Sequence, residues 1–444
     1  MTAGLKKCFL GLCLVYGIIL GGLLYWHLCP NLEKHAANPR YYQIFEKDRG
    51  PILDRNGTPL AFSQLEGGKY RRCYAASSLS HTVGYFHQRY GMAGLERLYH
   101  ADLLAGRTLS TTLDLAIQQL VEKALEGKTG AAVVIKPASG EVLALVSSPY
   151  IDGANLAENW ADYQSDLRSP FLNRVTNGLY PPGSVLKPIV YAAALETGLT
   201  KAKETWLDEG AVIIENKRLA NYGQKAFGTI TTEEALAYSS NVVFAGLATA
   251  LGEELLDYYG LFGLGAQPAW ELGAKKGFLP AGVKSKYAAA LLGIGQGELL
   301  ATPLQIALVG AAIANRGSLV TPYLVQELKG GLKMRQITRP QMGVPIISEQ
   351  AAVTVRDAMV LAVKEGTAKS AGQKDHVFAA KTGTAQTARG DHAWFVGFAP
   401  AHHPAVCAAV IIEEGGAGGL VAAPLGGAIL KGALDIVDGK KGKR

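Results

Sequence analysis

Apolar and polar positions are arranged in several distinct ways along the chain. From residue 8 to 28, twenty-one residues pass without a charge, enough at about 1.5 Å per residue to cross a hydrocarbon core of about 30 Å as a helix. After it, residues 49–61 set two short apolar runs around Asn56-Gly57, which predicts a hairpin. Residues 81–98 are mixed and punctuated by glycine, so 31–106 reads as a small irregular module. Thr111 or Thr112 is the expected cap of a helix whose apolar positions Leu113, Ile117, Leu120, Val121, Ala124 and Leu125 recur with helical spacing. Residues 131–135 and 142–147 flank a Pro-Ala-Ser-Gly turn as a strand pair, and 184–315 is mostly helical by pattern. Strand patterns return at 377–387, 393–398 and 405–412, before a last apolar helix at 423–437. An early strand pair, a helical middle and late strands predict an α+β fold, an antiparallel sheet closed by both ends of the chain with helices on its faces. The expected division is an anchor at 1–30, a short pedestal module at 31–106 and a main domain at 107–444.

Composition removes several classes. Of 444 residues 48% are hydrophobic, and glycine (53) and proline (19) fall well short of a low-complexity chain, which excludes disorder and collagen. The net charge of +7 sits at the ends, on Lys6 and Lys7 and on Lys440, Lys441, Lys443 and Arg444, leaving +1 between residues 8 and 439. Without a basic stripe on the body, nucleic acid is not an expected partner. Lys6 and Lys7 before the apolar run, with no cluster after it, place the N-terminus in the cytoplasm and the rest outside, with Tyr25 and Trp26 at the outer interface. A single-pass anchor in the cell membrane is therefore expected. A cleaved leader fits less well, because the run exceeds the usual h-region and no small-x-small site follows; Leu28 before Cys29 also argues against a lipoprotein. The cysteines at 8, 13, 29, 73 and 407 have no paired spacing and the nine histidines no HExxH, so no metal, redox or organic cofactor is expected.

Three short motifs carry candidate chemistry. Pro181-Pro182-Gly183-Ser184-Val185-Leu186-Lys187 ends a rigid loop and opens a helix, so Ser184 and Lys187 share a face. A serine hydroxyl is a weak nucleophile until a base takes its proton, and a lysine of lowered pKa can be that base. Ser239-Ser240-Asn241 breaks a helical pattern between a Thr231 cap and a further helix from about Val242, where hydroxyl and amide groups can point into a cleft or merely cap. Lys381-Thr382-Gly383-Thr384 lies in a strand pattern, with Lys381 and Gly383 on one face and the two threonines on the other. Lys128-Thr129-Gly130 repeats the tripeptide but sits in a turn ahead of Ser184. It is no phosphate loop, because Glu122 stands where a glycine is required, and Gly293 to Gly297 lacks dinucleotide-binding spacing.

In their order of helix start, helix break and strand, the three motifs match the set shared by penicillin-binding proteins and class A β-lactamases, with Ser240 where the latter have aspartate. The chain resembles a class B penicillin-binding protein, a monofunctional peptidoglycan D,D-transpeptidase, over nearly its whole length. Arg49-Gly50 through Asp54-Arg55-Asn56-Gly57 to Leu60-Ala61, His81-Thr82-Val83-Gly84-Tyr85, Gly94-Leu95-Glu96, Gly295-Gln296-Gly297, Thr302-Pro303-Leu304-Gln305 and Ala314-Asn315-Arg316-Gly317 add to the likeness. The resemblance implies a transpeptidase fold of the penicillin-binding and serine β-lactamase type. It implies Ser184 as nucleophile, Lys187 as base, Ser239 as proton relay and Asn241 as holder of the substrate amide. Lys381, Thr382, Gly383 and Thr384 would bind the terminal carboxylate, and the N–H groups of Ser184 and Thr384 would form the oxyanion hole. The implied partners are a peptidoglycan stem ending in D-Ala-D-Ala, β-lactam antibiotics and a polytopic membrane glycan polymerase of the RodA/FtsW type. Rival readings are a β-lactamase, a β-lactam sensor and a non-catalytic scaffold. No Glu-x-x-x-Asn lies between Asn241 and Lys381 to activate a deacylating water, which disfavours the first.

Overall fold

The computed structural model describes residues 2–28, 44–330, 336–338 and 340–439. Cys29 and the basic tail from Lys440 to Arg444 lie outside the described residues. The apolar run is one helix, α1 (Ala3–Leu28), with no buried side chain, long and apolar enough to cross a membrane.

Next comes a small sheet. Strand β1 (Ile52–Leu53) turns through the Asn56-Gly57 hairpin to β2 (Pro59–Glu66), which continues to β3 (Lys69–Tyr74), while β4 (Thr108–Thr111) runs parallel to β1. The expected threonine cap is corrected here. Thr111 belongs to β4 and donates to the Leu53 carbonyl, and Thr112 donates to the Val142 carbonyl at 2.7 Å. Asp114, one residue before helix α2 (Leu115–Ala124), accepts from the N–H groups of Ala116 and Ile117 and is the cap. The threonines instead join β4 to the strands beside it.

The main sheet follows. Strands β5 (Gly130–Ile135) and β6 (Val142–Ser148) form the early pair, and helix α3 (Lys187–Glu196) opens the middle of the chain. That middle is less helical than its pattern predicts. Residues 205–231 fold as two ribbons, β7 (Thr205–Asp208) with β10 (Gly228–Thr231) and β8 (Ala211–Ile214) with β9 (Lys217–Ala220). Turn residues at Gly210 and at Glu215-Asn216, all at positive φ, break the helical period there. Helices α4 (Thr232–Tyr238), α5 (Asn241–Leu251), α6 (Pro303–Ala314) and α7 (Glu349–Lys364) are among those that follow, with β11 (Val325–Lys329) and β12 (Gln336–Ile337) between the last two. Strands β13 (Ala379–Ala385), β14 (His392–Ala399) and β15 (Val406–Ile412) and helix α8 (Ala422–Val437) complete the chain.

The main sheet is antiparallel in the order β13-β14-β15-β5-β6, so the three late strands extend one side of the early pair. Alternation sends Trp394, Val396 and Phe398 to the face covered by α3 and α6, and Phe395 to the face covered by α2 and α8. Each face is thus covered by helices, as an α+β reading requires. Helix α6 is buried along its whole length; its Thr302–Gln305 capping box also lets the Gln305 amide tie down the carbonyls of Gly263, Ala266 and Lys276. The second sheet has the order β12-β11-β4-β1-β2-β3, so its far edge is built by Val325–Lys329 and Gln336–Ile337, from beyond the helical middle.

Inside the small module, Glu96 is fully buried between two guanidinium groups, Arg49 at 2.7 Å and Arg72 at 2.6 Å, and Arg49 also lies over the Phe86 ring. The Arg49 and Gly94-Leu95-Glu96 patterns of the sequence therefore meet as one ion triad.

Candidate active site

Ser184 lies on a 3₁₀ turn (Gly183–Leu186) that runs straight into α3. Residues three apart eclipse in such a turn, so Ser184 and Lys187 share a face. The approach is tight. Gly183 has φ +60 and donates to the Gly295 carbonyl at 2.8 Å, and a Cβ on Gly295 would stand 2.0 Å from the Gly183 oxygen. Two backbones cross here with no room for a side chain, which gives Gly295 a physical role.

The helix break forms as expected. Helix α4 begins at a Thr231–Glu234 capping box and ends at Ser239, which takes the left-handed conformation (φ +64). A non-glycine residue held there is strained, and surrounding contacts must hold it. Ser240 then caps α5, accepting from the Val243 N–H at 3.1 Å. The turn aims the Ser239 hydroxyl and the Asn241 amide at the lysines.

Lys187 and Lys381 are both fully buried. The Lys187 amine donates to the Ser239 carbonyl at 2.7 Å and to Asn241 Oδ1 at 2.8 Å, and its Nζ lies 3.3 Å from Ser239 Oγ. Lys381 Nζ donates to the same Ser239 Oγ at 2.9 Å and to the Thr382 carbonyl at 2.7 Å. The Ser239 hydroxyl thus bridges two amines. Burial drives the Lys187 pKa well below the ordinary lysine value, the Lys381 charge lowers it further, and only Asp208 pulls it back. Burial lowers Lys381 to about 7. No described residue hydrogen-bonds the Ser184 hydroxyl. Lys187 is held instead by hydrogen bonds to the second motif.

The third motif lies on β13, the outermost strand of its sheet, as alternation predicts. A Cβ on Gly383 would meet the Pro182 carbonyl and Val185 at 3.1 Å, so its lack of a side chain lets β13 lie against the serine turn. Thr382 and Thr384 face the other way: Thr382 shares a 2.7 Å hydrogen bond with the Thr367 hydroxyl, and Thr384 Oγ1 accepts from the Gly418 N–H at 3.1 Å. A ligand meeting Lys381 and both threonines must therefore lie along the strand's free edge. Lys128 is elsewhere, in the partly exposed turn before β5, where its carbonyl accepts from Ser148.

Sequence reasoning missed four contributors. Thr367 sets the Thr382 hydroxyl, Gly418 sets Thr384, and Asp208 and Asn221 hold the helix break. Asp and Asn two residues before a glycine read as ordinary turn residues, so nothing local distinguished the last two. Among the described residues no group of three or more His, Cys, Asp or Glu is placed to hold a metal ion.

Comparison with known proteins agrees with this geometry. Residues 130–431 match the penicillin binding protein transpeptidase domain, and residues 49–129 match the penicillin binding protein A dimerisation domain. The peptidoglycan D,D-transpeptidase PbpA of Mycolicibacterium smegmatis is 33% identical, over 90% of this chain and 92% of its own length. The D,D-transpeptidase domain of a peptidoglycan glycosyltransferase from Eggerthella lenta superposes with a TM-score of 0.83 at 32% identity, covering 88% of this chain and 99% of that one. Penicillin-binding protein A of M. tuberculosis, solved as its imipenem acyl-enzyme, gives 0.83 at 30% identity, covering 88% of this chain and 100% of that one.

Proposed function

Because the chain belongs to the penicillin-binding protein transpeptidase family, we propose a division of labour among the residues of its cleft. The protein is a peptidoglycan D,D-transpeptidase, a serine acyltransferase open to covalent inhibition by β-lactams. In our assignment Lys187, uncharged through burial, takes the Ser184 proton as Ser184 Oγ attacks the penultimate carbonyl of a stem ending in D-Ala-D-Ala. The carbonyl oxygen becomes an oxyanion against the N–H groups of Ser184 and Thr384. The C–N bond then breaks, and Ser239 passes a proton to the departing D-Ala amine. An acceptor amine attacks the acyl-Ser184 ester, forms the cross-link and returns the serine. Asn241 holds the donor amide, and Lys381, Thr382, Gly383 and Thr384 line the carboxylate site along the β13 edge.

One observation carries this reading: a single hydroxyl, that of Ser239, lies between two buried amines, 3.3 Å from Lys187 and 2.9 Å from Lys381. Those short contacts let a proton taken up by Lys187 pass to the Ser239 hydroxyl, and from there to the leaving group, without bulk water. The intact side chains of all three motifs speak against a non-catalytic scaffold. The lack of a Glu-x-x-x-Asn element speaks against a β-lactamase, although water can release some acyl-enzyme as a minor D,D-carboxypeptidase activity. We assign α1 as a single-pass anchor with the cleft on the outer side of the cell membrane, next to a polytopic glycan polymerase.

Intact-mass spectrometry of the full-length protein after penicillin tests the core of this proposal. The expected result is one persistent adduct on the peptide from Pro181 to Lys187, absent in Ser184→Ala. Label on another serine would overturn the nucleophile, and rapid release with sustained turnover would favour the hydrolase.

A further inference from the structure

The turn Ser239-Ser240-Asn241 is held from outside its own helices. Asp208, at the end of β7, is fully buried and accepts from the Ser240 hydroxyl at 2.5 Å, from the Asn221 amide at 2.8 and 2.9 Å, and from the Gly210 N–H at 2.8 Å. All of its hydrogen-bond partners donate, as suits a carboxylate. Asn221, immediately after β9, turns its Oδ1 to the Asn241 N–H at 2.7 Å, while the Asn241 amide donates to the Ala220 carbonyl at 2.7 Å. One side of Asn241 is thus fixed by the ribbons and the other meets Lys187.

We infer that Asp208 and Asn221 are positioning residues for acyl transfer, through which the two ribbons of residues 205–231 hold the Ser239-Ser240-Asn241 turn in its strained form against Lys187. The inference rests on the acyl-serine reading of the cleft. Neither residue reaches the proposed reacting atoms. Their effect passes through Ser240 and Asn241 to the Ser239 hydroxyl and the Lys187 amine. A left-handed serine relaxes unless its neighbours are pinned, and Asp208 and Asn221 pin Ser240 and Asn241.

Asp208 also acts through its charge. The charged groups facing Lys187 are Lys381 from β13 and Asp208 from β7, and its other neighbours Ser239, Asn241 and the Phe244 ring are uncharged. Of these two, Asp208 alone favours the protonated amine. Its removal therefore lets Lys187 lose its proton at lower pH, and the acid limb of the acylation rate moves down the pH scale.

The test is the second-order rate of labelling by a fluorescent penicillin, followed across a wide pH range for the full-length protein, Asp208→Asn and Ser240→Ala, with thermal unfolding as a check on folding. Asp208→Asn keeps shape but loses charge; it should slow labelling by on the order of 10²-fold, the cost of a small misplacement, and shift the acid limb to lower pH. Ser240→Ala removes one hydrogen bond and keeps the carboxylate, so it should slow labelling less and leave the limb in place. A purely structural role would lower the rate without moving the limb. Wild-type rate and limb in a folded Asp208→Asn protein would overturn the inference, as would an unmoved limb. Should that variant not fold, Ser240→Ala decides: slowed labelling with wild-type thermal unfolding supports the inference, and a wild-type rate, or slowing matched by lost stability, overturns it. Failure of the wild-type protein to label at all would strike the acyl-serine reading instead.

Discussion

The small module and the cleft both bury positive charge, and they treat it in opposite ways. In the module Glu96 lies between Arg49 and Arg72 with all three side chains at most 4% exposed, and the charges stay because each has a partner. In the cleft Lys187 and Lys381 are buried with hydroxyls and carbonyls for company, and the carboxylate that influences Lys187, Asp208, hydrogen-bonds elsewhere. Arginine cannot shed its proton under ordinary conditions and lysine can. A paired arginine cluster fixes geometry, while an under-compensated lysine pair gains a proton equilibrium that chemistry can use. The difference teaches where to look for reactivity: at the buried cation that lacks its counterion.

The sharpest way to break this contrast is to remove each device in turn. Lys187→Ala should slow β-lactam acylation by on the order of 10²–10⁴-fold, the usual worth of a general base, with unfolding close to wild type; kinetics on the purified protein would show it. Glu96→Ala should do the reverse. It leaves two buried guanidinium groups uncompensated and should cost about 3–5 kcal/mol in denaturant unfolding, while the folded fraction labels at the wild-type rate. If Glu96→Ala slowed labelling of folded protein and left stability alone, the contrast would fail.

Much of the cleft was legible because each motif obeys a local rule. A Pro-Pro-Gly approach before Ser184, a Ser-Ser-Asn break between capped helices and an alternating Lys-Thr-Gly-Thr strand can be placed without knowing the fold. The pairing of Arg49 with Glu96 lies 47 residues apart and was visible only as family pattern until the structure gave its reason. Asp208 and Asn221 were invisible because their meaning depends on a turn 20 to 32 residues away. Strand β11 was missed for the same kind of reason. A five-residue strand declares itself through its partner, and that partner, β4, lies more than 200 residues earlier.

Smaller effects sharpen the comparison. With Lys381 lowered to about 7, its charge is lost as pH rises through that value. Carboxylate capture weakens on the alkaline side, so KM for a D-Ala-D-Ala donor should rise above about pH 7 as the cation fraction falls, roughly tenfold per unit at most. Loss of rate on the acid side reports Lys187 gaining its proton, and a KM independent of pH would remove Lys381 from the carboxylate site. Least of all, Lys128→Ala should leave labelling and unfolding within experimental error, because that lysine sits in a partly exposed turn away from the cleft; a clear loss would mean the decoy had been misread.

The outer edge of the module's sheet has a consequence for how the protein is made. Strand β4 pairs on one side with β1, near in sequence, and on the other with β11 at Val325–Lys329. As the polypeptide emerges from the ribosome, the front of the module is synthesised first but cannot close; the backbone groups of β4 wait as an open template until the helical middle has followed. A truncated product ending anywhere before residue 325 therefore keeps one edge of β4 unpaired, an open template for pairing with another chain.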